Sequence, residues 1–265
     1  MIKSTNRRNF LKASAAIALT SGANIAIAAT GDTVQEHYEI RTYKVTNPTK
    51  KTILDRYLEN ALIPALSRIG IDRIGVFTNR DDVEDHSVYM LIPYSKIETF
   101  VGITPALEAD KAYQDAAKEY YSEPLEDPIY SRINSKLFKA FSGMPTLGVP
   151  KQSTSKAPRI FELRTYEGHN EEKSALKIEM FNIGEIQVMQ QAGLAPVFFG
   201  QAIIGDDVPN LTYMLSATDQ EDHQSHWDAF RVHEGWLKIK DLPRYKGSIS
   251  NITSTFLVPT SYSQL

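Results

Sequence analysis

Glu39-Ile40-Arg41-Thr42-Tyr43 recurs as Glu162-Leu163-Arg164-Thr165-Tyr166, an offset of 123 residues. The same offset runs without a gap to a glycine pair, Gly70 and Gly193. On the way, apolar positions correspond: Ile53 with Leu176, Tyr57 with Met180, Leu58 with Phe181, Ala65 with Val188 and Leu66 with Met189. After one inserted residue, Tyr89-Met90-Leu91 aligns with Tyr213-Met214-Leu215. A recurrence of this length makes the chain two diverged copies of one unit, and it has to be seen before any element is assigned.

Each copy reads as β-α-β-β-α-β. In the first, residues 38–45 alternate as a strand, and Asn47-Pro48 supplies a cap followed by proline at the first helical position. The helix behind it places Ile53, Leu54, Tyr57, Leu58, Ala61, Leu62, Ala65, Leu66 and Ile69 on one face. Pro64 is expected to kink it and Gly70 to end it. Strands follow at 71–78 and 86–93, then a helical stretch at 95–121 interrupted at Thr104-Pro105, and a strand at 131–138. The second copy gives strands near 160–166, 194–202, 211–217 and 248–257, with helices at about 171–192 and 220–240. Residues 142–158, with three prolines and no periodicity, read as a linker between repeat 1 (29–141) and repeat 2 (159–265). The fold class is α+β, two tandem ferredoxin-like units. Each sheet has one face covered by helices and one left bare, so the two bare faces are expected to close a barrel within the chain.

Residues 1–28 read as an address. Asn6-Arg7-Arg8-Asn9-Phe10-Leu11-Lys12 fits the twin-arginine export pattern, and the Ala-rich run behind it is too polar to anchor in a bilayer. Ala26-Ile27-Ala28 offers small residues for cleavage after Ala28, so a periplasmic location is expected, with no membrane contact once the leader is removed. Of 29 basic residues, Lys3, Arg7, Arg8 and Lys12 lie in this leader, which has no acid; the rest of the chain carries about −7 against the −3 of the whole. A nucleic-acid partner is not expected from that balance. There is no cysteine, which removes disulfides, thiolate metal sites and cysteine nucleophiles.

The opening Tyr38-Glu39-Ile40-Arg41-Thr42-Tyr43 with its counterpart Phe161 to Tyr166, the long helix ending in glycine, Trp227 with Phe230, and the closing Leu257, Pro259, Tyr262 and Ser263 are together similar to NIPSNAP domains. The resemblance covers nearly all of 37–265. The first copy departs from it, having no Trp on its second helix and no such closing motif. It implies the ferredoxin-like fold of the dimeric α/β barrels. It implies no particular chemistry, because that superfamily hosts monooxygenases, isomerases, haem enzymes and binding proteins.

Alternation puts Tyr38, Ile40 and Thr42 on one face of the first strand and Glu39, Arg41 and Tyr43 on the other, with Glu162, Arg164 and Tyr166 matching them in the second copy. The more apolar set is expected to meet the helices, leaving Glu39, Arg41, Tyr43, Glu162, Arg164 and Tyr166 to meet in the shared barrel as the candidate ligand-binding site. There the arginines would hold an anionic or carbonyl-bearing ligand and the tyrosines would donate hydroxyls. The competing reading is structural, Glu-Arg pairs locking two sheets into register. His223 and His226, beside Asp219 and Asp222, have metal-compatible spacing but read as a solvated helix start, and no metal is expected. No cofactor is expected either, since phosphate loops, dinucleotide fingerprints and nucleophile elbows are absent from the sequence.

The function expected is that of an exported small-molecule-binding or stress-associated protein, with a small-molecule ligand as partner and a homo-oligomer left open. The alternatives are a cofactor-independent monooxygenase or isomerase on the same barrel, or a structural partner in an exported assembly. Replacing Arg7 and Arg8 by lysine is expected to leave the full-length chain in the cytoplasm on cell fractionation; undiminished export of that variant would contradict the leader.

Overall fold

The two copies build the same first half from the same local signals. The computed structural model of the chain describes residues 34–265, and the expected leader lies outside them. β1 (His37–Val45) and β5 (Ile160–Glu167) each run into a helix capped by asparagine: Asn47 Oδ1 accepts from Lys50 N at 3.0 Å and Asn170 Oδ1 from Lys173 N at 2.9 Å. Both helices then pass through three segments, α (Pro48–Tyr57, Glu171–Met180), π (Leu58–Leu62, Phe181–Glu185) and α again (Ile63–Arg68, Ile186–Gln191). Every boundary repeats at the offset of 123. The expected kink at Pro64 is therefore corrected: the irregularity is a π turn, and the second copy has it with Gln187 at the proline position, so the repeat carries it and the proline does not cause it. Both helices end alike. Gly70 and Gly193 adopt φ of 81° and 92°, and the Ile71 and Leu194 amides reach back to the Leu66 and Met189 carbonyls at 3.0 Å each, a double C-cap that requires the left-handed residue.

The remaining strands are β2 (Gly75–Asn79), β3 (Val88–Tyr94), β4 (Tyr130–Ala140), β6 (Ala195–Ile204), β7 (Asn210–Ala217) and β8 (Asn251–Pro259). β2 begins later than expected because Arg73, at φ 62°, breaks the extended run. The helix at Ile97–Ala109 continues through Pro105, and the expected break falls instead at Asp110, whose carboxylate caps Tyr113 N at 3.0 Å. The one-residue insertion expected before Tyr213 is also absent from the register. Met90 stands opposite Arg41 and Tyr213 opposite Arg164, so Met90 corresponds to Tyr213 at the unbroken offset.

Strand order around the closed barrel is β1-β3-β2-β8-β5-β7-β6-β4, all neighbours antiparallel. Each copy contributes a β4-β1-β3-β2 type sheet, and the two sheets join twice in the same way, β2 to β8 and β4 to β6. Two α+β units thus close one barrel inside one chain, as the sequence reading expects. The predicted helix cores are buried: Leu54, Leu58, Leu62 and Leu66 in the first layer, Phe181, Met189, Trp227 and Phe230 in the second.

The faces of the first strands are the reverse of the expectation. Tyr38 and Ile40 point into the barrel with Phe77, Phe138, Phe161 and Phe198, while Tyr43 and Tyr166 pack under the helices of their own copies. An eight-stranded barrel leaves an interior just wide enough to be filled by side chains or to hold one small ligand. Its closed end therefore selects the more apolar set, and the residue joining the repeats, Leu147, and the terminal Leu265 fill it further. Residues 142–158 are accordingly no free tether: Gly148 N bonds to Val197 O at 2.8 Å and Lys151–Ser155 form a short helix.

One pair of helix positions separates the copies. Where the first has Leu54 and Leu62, the second has Lys177 and Glu185, both 4% exposed, with Nζ 2.6 Å from Oε2. Burial raises the Glu185 carboxyl even beside its lysine. The first copy shows that leucines fill these places in the same fold, so the ion pair is not what the fold requires. In urea unfolding, Glu185→Leu alone is expected to lose about 3–5 kcal/mol by stranding a buried ammonium, whereas Lys177→Leu with Glu185→Leu is expected to equal or exceed the parent. A double variant as unstable as the single would contradict this.

Candidate functional site

The six residues expected to share the barrel do not meet there; they form two separate clusters between sheet and helices, one per copy. In the first, Arg41 grips Glu39 with two bonds, Nε to Oε1 at 2.7 Å and Nη2 to Oε2 at 3.0 Å, and Tyr94 and Ser135 hydroxyls donate to the same carboxylate at 2.6 and 2.7 Å. In the second, Glu162 accepts from Ser254 Oγ at 2.6 Å and Trp227 Nε1 at 3.3 Å, with His223 Nε2 at 2.8 Å and Arg164 Nη1 at 3.4 Å. The pairing expected of Glu and Arg is present, within each strand and not between sheets. Burial works to raise both glutamates, but Arg41 in one copy, and His223 with Arg164 in the other, outweigh it and hold them below the ordinary value. The outer faces of β4 and β8 are left open beside these clusters, so the side chains of Arg41 and Arg164 keep 21% and 20% exposure. Helix-side placement thus gives the carboxylates their donors and the guanidinium groups some water, neither of which the apolar lumen provides.

The large opening lies in the first copy, beside β4. A groove of about 670 Å³ is bounded by Tyr57, Tyr113, Tyr120, Tyr121 and Tyr130, with Leu107, Ile129 and Ile133 completing an apolar wall. Tyr57 and Tyr120 stack with centroids 3.8 Å apart at 10°, and Tyr130 continues from Tyr120 at 6.4 Å and 28°. Tyr113 Oη bridges Tyr57 Oη at 2.8 Å and Tyr121 Oη at 2.7 Å. Burial, joined by neighbouring phenols, pushes Tyr57 and Tyr113 well above the usual range, so both stay protonated donors. Tyr43 lies buried behind this wall, its ring 5.7 Å from Tyr130. The groove's outer lip, residues 122–129, is tied down by Lys50, whose ammonium binds Glu123 and lies 2.8 Å from Asp127. Tyr121 and Leu125 stand exposed at the rim.

The second copy fills the corresponding layer. Trp227 stacks on Arg164 at 4.8 Å, and Phe230 contacts Trp227 at 5.3 Å and Trp236 at 4.7 Å. His223 and His226 do not converge: His223 turns in to Glu162, and His226 turns out to Asp222 at 3.6 Å. Sequence reading missed His223 as a partner of Glu162, and missed the tyrosines of the groove apart from Tyr57, which it took for core. The available signal was the absence of Trp from the first copy's second helix, which leaves volume there.

Glu39→Gln is expected to lower stability at pH 7 by roughly 1.5–3 kcal/mol. Because the folded carboxyl is held low, its contribution is complete above the unfolded value, about 4, and is lost as pH falls through the folded one. Urea unfolding at pH 7 and pH 3 checks this; a deficit independent of pH would contradict it.

Comparison with known proteins agrees with this architecture. The NIPSNAP family model matches residues 161–264, the second copy. No curated protein matches the chain. Among solved structures, a candidate monooxygenase from Lactobacillus acidophilus NCFM superposes with a TM-score of 0.57 at 9% identity, over 85% of this chain and 94% of that one. Another, from Fusobacterium nucleatum, gives 0.56 at 10% identity, over 86% and 93%. A NIPSNAP family protein from Agrobacterium tumefaciens gives 0.37 at 16% identity, over 41% and 91%. The chain shares the fold of the dimeric α/β barrels, here closed within a single polypeptide.

Proposed function

We propose that this chain is an exported small-molecule-binding protein, a NIPSNAP-like domain in its second half paired with a diverged copy that carries the binding site. The observation behind the reading is the tyrosine-walled groove of the first copy. Its volume falls in the range of small-molecule sites, its lining is mostly apolar, and its polar groups are the phenols together with Thr104, Gln114 and the carboxylates of Glu108 and Glu123. Stacked rings and a hydrogen-bonded phenol chain that share Tyr57 suit a planar aromatic ligand with an oxygen substituent. The leader at residues 1–28 would take the folded protein to the periplasm.

A second reading uses the same groove for catalysis, as a cofactor-independent monooxygenase or isomerase. The phenol chain from Tyr57 through Tyr113 to Tyr121 favours it, because it places protonated donors where an enolate or phenolate oxygen would develop. The names of the two barrel neighbours point the same way.

Calorimetric titration with 2-naphthol separates the possibilities. Saturable binding is expected, with Tyr120→Ala weakening it about tenfold while the variant stays folded, since the stacked wall contributes on the order of 1 kcal/mol. Oxygen uptake on adding the same probe would select the catalytic reading. No saturation, or equal binding by Tyr120→Ala, would remove the groove as the site.

A further inference from the structure

The barrel interior is not uniform along its length. One end is filled by the aromatic cluster of Tyr38, Phe77, Phe138, Phe161 and Phe198. The other end is a cup of about 220 Å³ whose wall is made of hydroxyls: Thr42 from β1, Thr165 from β5, Thr212 from β7, and Thr253 and Thr255 from β8. Strand register explains the change. Thr42 stands opposite Asn134 and Tyr89, and Thr165 opposite Thr212 and Thr253, so one whole layer of inward positions is polar in both copies. Below it, Ile40, Leu163 and Phe138 form an apolar floor.

Charge in this cup comes from unequal contributions of the copies. Lys44 and Lys136 reach it from β1 and β4, and Asp206 from the turn after β6. At the places matching Lys136 and Lys44, the second copy has Thr255 and Glu167. Among the described residues Lys44 has no carboxylate within salt-bridge distance and lies 6.0 Å over the Tyr89 ring, while Lys136 pairs with Asp207 at 3.4 Å. Thr165 and Thr212 hydroxyls bond to each other at 2.8 Å, which leaves the wall with further donor and acceptor capacity facing the space. With Lys136 engaged by Asp207, Lys44 is the cup's cation without a carboxylate partner among the described residues, and beside a wall of hydroxyls it is placed to receive an anionic group.

We propose that this cup is a second binding site, separate from the tyrosine groove, for a small polyhydroxylated carboxylate. The carboxylate would sit at Lys44, and the ligand's hydroxyls would replace water on the threonine wall. The volume is below that of drug-sized pockets and corresponds to roughly seven waters at ~30 Å³ each, which suits a ligand of monosaccharide size and excludes a polycyclic one. The site exists only because both copies contribute to one barrel, since neither sheet by itself encloses it.

D-gluconate is the probe, with sorbitol as its neutral counterpart, titrated at low ionic strength and followed by calorimetry and by the threonine methyl resonances. Saturable gluconate binding is expected, with shifts at Thr42, Thr165 and Thr212, and sorbitol at least about tenfold weaker. Lys44→Met with Lys136→Met, both at accessible positions, is expected to weaken gluconate by about tenfold or more. Thr212→Val, which keeps the shape and removes one hydroxyl, is expected to weaken it less. Tyr120→Ala is expected to leave it unchanged, which keeps this test independent of the groove. Absence of saturable gluconate binding, or binding undiminished in the lysine double variant, would overturn the proposal.

Discussion

A four-stranded sheet with helices on one side has a second face that must be covered, and here the two sheets cover each other. The two antiparallel joins, β2 to β8 and β4 to β6, leave no free edge and enclose an interior too narrow for anything but side chains over half its length. Most other features follow from that closure. The interior takes the face of β1 and β5 that carries Tyr38, Ile40, Phe161 and Leu163, and the Glu-Arg-Tyr face is displaced to the helix layer. There Ser135 with Tyr94, and Ser254 with His223 and Trp227, complete the hydrogen bonds of the buried glutamates.

Closure from two linked copies also frees them to differ. A symmetric dimer must change both halves together, but in one chain each half can change alone. The first copy keeps leucines in its helix core and opens a groove walled by tyrosines. The second fills the matching layer with Trp227, Phe230 and Trp236 and places a Lys-Glu pair where the first has leucines. The shared π turn survives in both, at matched positions, which ties it to the packing of the long helix on the sheet.

The architecture was legible in the sequence because its signals are local and doubled: the Glu-x-Arg-x-Tyr recurrence, Asn47 before Pro48, and the glycines at 70 and 193. The direction of β1 was not. Choosing a face by hydrophobicity works when the other face meets water, and here both faces are buried, so Tyr38 and Ile40 fit the lumen better than the helices. A slip of one residue at Tyr89 was another cost of matching by identity, where the strand register pairs Met90 with Tyr213. The groove was hidden for a different reason. Its walls come from residues 57 to 133 across several short helices, and no periodic pattern marks side chains brought together by such breaks.

The central claim is that an aromatic ligand belongs between sheet and helices of the first copy and not within the barrel. A crystal structure of the chain with 2-naphthol bound tests it directly. Density for the ring against the stacked Tyr57 and Tyr120, with its hydroxyl in reach of the Tyr113 and Tyr121 phenols, is the predicted result. Density for the ring in the barrel interior, with the tyrosine groove empty, would contradict it.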